Sequence, residues 1–126
     1  MAPLMAALSI AFEAPVTLRG LSPSQSRPID LVHLAAQTLG DKGREIDALQ
    51  AFVRQARQAL RDVANGDAAG ITAAAHRLQG AAAGVGAFKV ADAAARLEEN
   101  GADAAAMAKL GAAVLETENF VLKLCR

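Results

Sequence analysis

The stretch REIDALQAFVRQARQALRDVANGD, Arg44 to Asp67, decides the fold. Its apolar positions Ile46, Leu49, Val53, Ala56, Leu60 and Val63 fall alternately three and four apart. That spacing gathers them on one stripe of a helix and leaves charged and amide side chains on the rest. Asn65 and Gly66 close the segment, since both residue types tolerate the left-handed backbone in which helices often end, and Asp67 is placed to cap a following helix. A long helix with one apolar stripe must bury it against other helices, so the same pattern is expected on either side.

It is found there. Upstream, Asp30 can cap a short helix carrying Leu31, Leu34, Ala35 and Thr38, which Gly40 stops before Asp41 offers the next cap. Downstream, Ile71, Ala75, Leu78, Ala82 and Val85 mark a helix that a break near Gly84 to Gly86 ends. Phe88, Ala91 and Ala95, with Val90, Ala94 and Leu97, give the apolar rows of the next, closed by Asn100 and Gly101. Asp103 opens the last, where Met107, Leu110, Val114, Thr117, Val121 and Leu124 repeat the three-four spacing. Four long helices joined by short loops must run antiparallel to their neighbours. The expectation is an all-α, up-down-up-down four-helix bundle over residues 28–126, with a short N-terminal helix capping one end. Residues 1–27 show no sustained period and end in the turn-rich LSPSQSRP, so they are expected to form a flexible or loosely packed arm.

Composition agrees and excludes several functions. The 126 residues suit one domain. Just over half are hydrophobic, only four are aromatic, and alanine, the best helix former, is abundant. Thirteen basic and thirteen acidic side chains cancel with no dense basic run, which argues against nucleic acid. A single cysteine, Cys125, allows no internal disulfide, and no Cys/His cluster suggests a metal site. The N-terminal MAPLMAALSIAFEAP has a short apolar run but no basic segment before it, so it is a poor signal peptide. No apolar run is long enough to cross a bilayer, and a cytoplasmic protein without a membrane role is expected.

The chemistry points to AHRLQGAAAGVGAF, Ala75 to Phe88. At about 100° per residue, His76 lies roughly 140° round the helix from the inward-facing Ile71, so its imidazole faces outward. Its neighbours one turn away, Thr72, Ala73, Gly80 and Ala83, are all small, with Gln79 at one shoulder. Glycine within a helix costs about 1 kcal/mol relative to alanine. Side chains lean toward the helix N-terminus, so a side chain at position 80 would cover the turn that carries His76. Gly80 thus leaves the ring open to something large.

These residues resemble the histidine-containing phosphotransfer (Hpt) domains of bacterial and plant phosphorelays. The family's motif is a histidine, an apolar residue two later, commonly lysine three later, glycine four and ten later, then an apolar helix ending near Leu-Glu. Here it reads His76, Leu78, Gln79, Gly80, Gly86 and Leu97-Glu98. PIDLVHL, FVRQARQAL and NGDAAGITAAAHRL also look like the family, and the resemblance spans about Pro28 to Leu124. Gln79 departs from the common lysine: it can donate hydrogen bonds to a phosphoryl oxygen but brings no charge. Arg77 and Lys89 are the nearest candidate cations, although Arg77 points about 100° away from His76 on the wheel.

The resemblance implies a phosphoryl carrier in which His76 accepts from a receiver-domain aspartate and passes the group to another response regulator. Thr72, Ala73, Gly80 and Ala83 would form the docking surface, with Gln79, Arg77 and Lys89 as phosphoryl support. It also implies a hybrid sensor kinase as a further partner, a magnesium site in the partner receiver and no cofactor in this chain. The absence of a Gly-rich nucleotide loop predicts neither ATP binding nor autokinase activity. A monomer is expected.

Other readings are blander. A helical adaptor could bind receivers without carrying phosphate. A dimeric kinase fragment would need a nucleotide-binding domain that this sequence does not contain. His33 reads as a surface residue, and Glu98 and Glu99 as a solvated helix end. Arg54, Arg57 and Arg61 form a solvent-facing basic stripe, which could also steer an acidic partner toward the bundle.

Overall fold

A computed structural model describes residues 27–101 and 103–125. All secondary structure among the described residues is helical: α1 Leu31–Thr38, α2 Lys42–Asn65, α3 Ala68–Val85, α4 Phe88–Asn100 and α5 Ala104–Leu124. The expected arm lies outside the described residues except for Arg27. Helix α3 packs on α2 and α4, α4 on α5, and α5 returns to α2, which closes a ring of four antiparallel helices. Helix α1 packs on α2 and α3. The N-terminus of α2, the C-terminus of α3, the N-terminus of α4 and the C-terminus of α5 therefore share one end of the bundle, and α1 sits there.

Aspartates start three of the helices. Asp30 accepts from the backbone N–H groups of Val32 and His33 at 3.1 and 3.2 Å, Asp41 from Arg44 at 3.0 Å, and Asp67 from Gly70 at 2.8 Å. Each satisfies donors that the first helical turn leaves unpaired. Asp103 occupies the cap position of α5 without a side-chain hydrogen bond.

Two glycines are fixed by the backbone. Gly66 is extended, not left-handed as its place after Asn65 suggested; a Cβ there would lie 2.6 Å from the Asp62 carbonyl oxygen. Gly86 is left-handed, with φ +82°, and donates its N–H back into the last turn of α3. Its carbonyl accepts from Asp30 N–H at 2.8 Å, and a Cβ on it would meet the Asp30 carbonyl oxygen at 2.9 Å. The break after α3 is thus at Gly86 alone, while Gly84 remains helical. This contact seats the start of α1 on the α3–α4 turn.

The core is built from small and branched aliphatic residues, with Phe52 its one buried aromatic among the described residues. Leu34, Leu49, Leu78, Val90, Leu97 and Leu110 are buried as their spacing requires. The stripe of α2 is rotated from the expected one. Leu49, Phe52, Ala56, Ala59 and Val63 face inward, while Val53 and Leu60 are half-buried and Ile46 is exposed. On a helix the 46-53-60 and 52-59 rows flank the 49-56-63 row on opposite sides, and the buried stripe takes in Phe52 and Ala59 in place of the 46-53-60 row. Likewise Leu124 is exposed and Val85 only half-buried, both near the bundle end. Among the described residues no helix is long and apolar enough to cross a membrane.

Candidate functional site

His76 stands in the middle of α3 with its side chain 72% exposed. The helix presents it outward because Ala74, Ala75 and Leu78 take the buried side of the same turns. Around it lies an open, shallow surface formed by Ala68, Ala69, Thr72 and Ala73 of α3, with Arg77 and Glu98 at its border. The Thr72 hydroxyl is turned back to its own helix, donating to the Ala68 carbonyl at 3.0 Å, so its methyl contributes to an apolar floor. A Cβ added at Gly80 or Gly84 would meet nothing within 4 Å. Both positions lie on the exposed side of α3, one and two turns beyond the histidine, and no packing among the described residues demands a glycine at either. Gln79 and Ala83 are half-buried on the same helix.

The ring is held from the neighbouring helix. His76 Nδ1 lies 2.9 Å from Glu98 Oε2 of α4. A carboxylate only accepts, so the proton of this bond sits on Nδ1 and the Glu98 oxygen receives it. The other nitrogen, Nε2, then carries the lone pair in the neutral ring and faces away from the protein's own hydrogen bond. Glu98 therefore holds the His76 ring and is not simply part of a solvated helix end. Helical periodicity could not reveal it, because the two residues lie 22 apart in sequence on different helices. The one available signal was its place in the Leu97-Glu98 motif.

The expected cations are elsewhere. Arg77 borders the surface, but its guanidinium donates to Asp62 of α2 at 3.2 Å, on the far side of α3 from Glu98. Lys89 is at the start of α4, paired with Glu116 of α5 at 3.7 Å, and lines a groove between α4 and α5 with Arg96 and Lys109. The structure brings His76 together with Thr72, Ala73 and Glu98, with Gly80 open beyond them, and does not gather Lys89 with them. Arg54, Arg57 and Arg61 are exposed, and Glu118 raises the Arg57 guanidinium above its ordinary pKa, first through a hydrogen bond and then through charge. Among the described residues no three His, Cys, Asp or Glu side chains are grouped to hold a metal ion.

His33 is not the free surface residue its sequence suggests. Its ring is half-buried and meets Phe88 edge-on, with centroids 5.2 Å apart, and its Nε2 is buried without a hydrogen-bond partner. It tethers α1 to the start of α4 and lies away from His76.

The family model of the Hpt domain matches residues 45–120. No curated protein matches the chain, and no solved structure matches it. The matched segment covers more than half of the sequence and contains α3 and α4 with both His76 and Glu98. With this match over a ring of antiparallel helices that carries one outward histidine, the chain belongs to the Hpt domain family, the histidine phosphocarriers that interact with receiver domains in phosphorelays.

Proposed function

We propose that His76 is the phosphoacceptor, that its Nε2 takes the phosphoryl group from the aspartyl phosphate of one receiver domain, and that the group passes on to the aspartate of another. The observation that carries this reading is the pairing of an exposed ring with Glu98 through Nδ1, which leaves Nε2 outside that bond on a ring that borders an open surface of small residues.

The chemistry follows from that pairing. The Nε2 lone pair attacks phosphorus, a nitrogen–phosphorus bond forms, and the bond from phosphorus to the aspartate oxygen breaks with its electron pair, releasing a carboxylate. The ring already holds a proton on Nδ1, so the new bond makes it cationic. Glu98 stands against that developing charge, as a buried carboxylate does behind a catalytic histidine in hydrolases. Reversal returns the phosphoryl group to a carboxylate and the ring to neutrality, so transfer in both directions needs no proton to leave the site.

Phosphoryl transfer also needs in-line geometry and cations against the equatorial oxygens. Magnesium and a cationic side chain in the partner receiver would supply these, and this chain contributes the nucleophile and the docking surface. Gln79 orients phosphoryl oxygens by donating hydrogen bonds from its amide. A hybrid sensor kinase stands upstream, the chain binds no ATP and has no autokinase activity, and it works as a cytoplasmic monomer.

The test is to mix the protein with a phosphorylated receiver domain. Label that is acid-labile and alkali-stable, as phosphohistidine is, should appear on the wild type. His76→Gln should accept none while keeping its helical circular-dichroism signal. Binding of receivers without label on the wild type would instead make the chain an adaptor.

A further inference from the structure

The seam between α2 and α5, opposite the α3–α4 seam that carries His76, is the least closely packed of the four between neighbouring helices. Gln50 and Val53 of α2 and Glu118, Val121, Leu122 and Cys125 at the C-terminal part of α5 line a groove there that is mostly apolar. Leu115 and Leu122, 58% and 60% exposed, stand two turns apart on α5 along its edge, and Ile46 is exposed on α2. The groove lies toward the bundle end where α2 begins and α5 finishes. Exposed apolar side chains grouped in this way are poorly disposed in water and favour a covering partner.

The sequence holds an occupant of matching chemistry. From Met1 to Phe12 there is no ionisable side chain, Ser9 is the single polar one, and Leu4, Met5, Leu8, Ile10 and Phe12 supply apolar bulk. This stretch joins the fold at the same end of the bundle. The backbone hydrogen bond from Asp30 to Gly86 anchors the chain on the α3–α4 turn, and the residues before it depart from there. From Phe12 to Pro28 the chain can reach about 50 Å when extended. The bundle end is only about 20 Å across, two helix spacings. Reach is ample.

We propose that residues 4–12 dock in the α2–α5 groove, so that the N-terminal stretch covers the apolar back of the bundle and leaves the His76 face free. Leu8 and Phe12 are the anchors, and Leu122 and Val53 receive them. This placement is independent of what His76 does, and a chain that carried no phosphate would still make it.

The full chain tests it by two-dimensional amide NMR with Leu8→Asp. A charge in the docking stretch should move the signals of Gln50, Val53, Leu122 and Cys125 while those of Thr72, Ala73 and His76 stay in place. Leu122→Asp, at an exposed position that the fold tolerates, should reciprocally move the signals of residues 4–12. Cys125 is the only cysteine, so its reaction with a maleimide reads the same contact, and it should speed severalfold in Leu8→Asp. Groove signals indifferent to Leu8→Asp would overturn the proposal, as would shifts confined to the His76 face. Groove signals that change on simple dilution would assign the surface to a second copy of the chain and equally refute it. Phosphoryl acceptance by Leu8→Asp should equal that of the wild type, so loss of the docking result leaves the reading of His76 standing, and the converse.

Discussion

At the scale of single residues, the site depends on one hydrogen bond and one missing side chain. The Glu98 carboxylate fixes the proton on Nδ1, and without it the neutral ring would divide between two tautomers, only one of which offers Nε2. Glu98→Ala should therefore slow phosphoryl acceptance by about tenfold, within the range that loss of a partner holding a functional histidine produces. Glu98→Gln, whose amide oxygen still accepts, should recover most of the rate. Nitrogen-15 NMR of the imidazole should show the tautomer mixture in the alanine variant alone, which separates positioning from a general loss of structure. Gly80 presents the opposite case. Since a Cβ there meets nothing, Gly80→Ala should raise stability by about 1 kcal/mol in thermal unfolding. Gly80→Leu should keep the fold yet slow transfer from a receiver, because the added bulk stands over the turn of His76. Both the histidine and its open neighbour were legible in the sequence, where wheel angle and residue size suffice. Glu98 was not, because a repeat along one helix says nothing about which residue of the next helix stands opposite.

At the scale of helices and their connections, the ends were easier to read than the faces. Aspartates at 30, 41 and 67 act as the caps they resemble, and all five helices appear in the expected order. The inward face of α2 differs from the one its spacing predicts because Ala59 counts for little on a hydrophobic wheel although it is buried, and because Phe52 adjoins Val53. Small residues hide which side of a helix is approached most nearly. Backbone handedness at turns was legible at Gly86 and not at Gly66, which is a glycine for the nearness of the Asp62 carbonyl and not for its φ. Gly86→Ala should cost about 2 kcal/mol or more, since the left-handed conformation alone costs a side-chain-bearing residue 1–2 kcal/mol and the Asp30 carbonyl adds a clash. A lowered urea midpoint would register it, with the largest loss of order in α1, whose seat on the α3–α4 turn that glycine makes.

At the scale of the whole molecule, chain order and short connections were enough to dictate an antiparallel ring, and with it the two opposed seams. The histidine faces out from one and the apolar groove opens on the other. What the sequence did not disclose is where the cations go once the helices assemble. Arg77, next to the histidine in the chain, is drawn across α3 to Asp62, and Lys89 is drawn to Glu116. These partners come from the preceding helix α2 and the following helix α5, and which of their residues stands opposite each cation is set only when the helices pair.

The tie between Arg77 and Asp62 has a consequence for how long the loaded form can last. A phosphorylated His76 would have its ring charge answered by Glu98, but the anionic oxygens would look out over alanines and an amide, with the adjoining guanidinium already engaged. Such a cargo would be held loosely and surrendered readily to whatever brings metal and positive charge to meet it. On the proposed reading, the bundle would serve as a way-station for phosphate and not as a store.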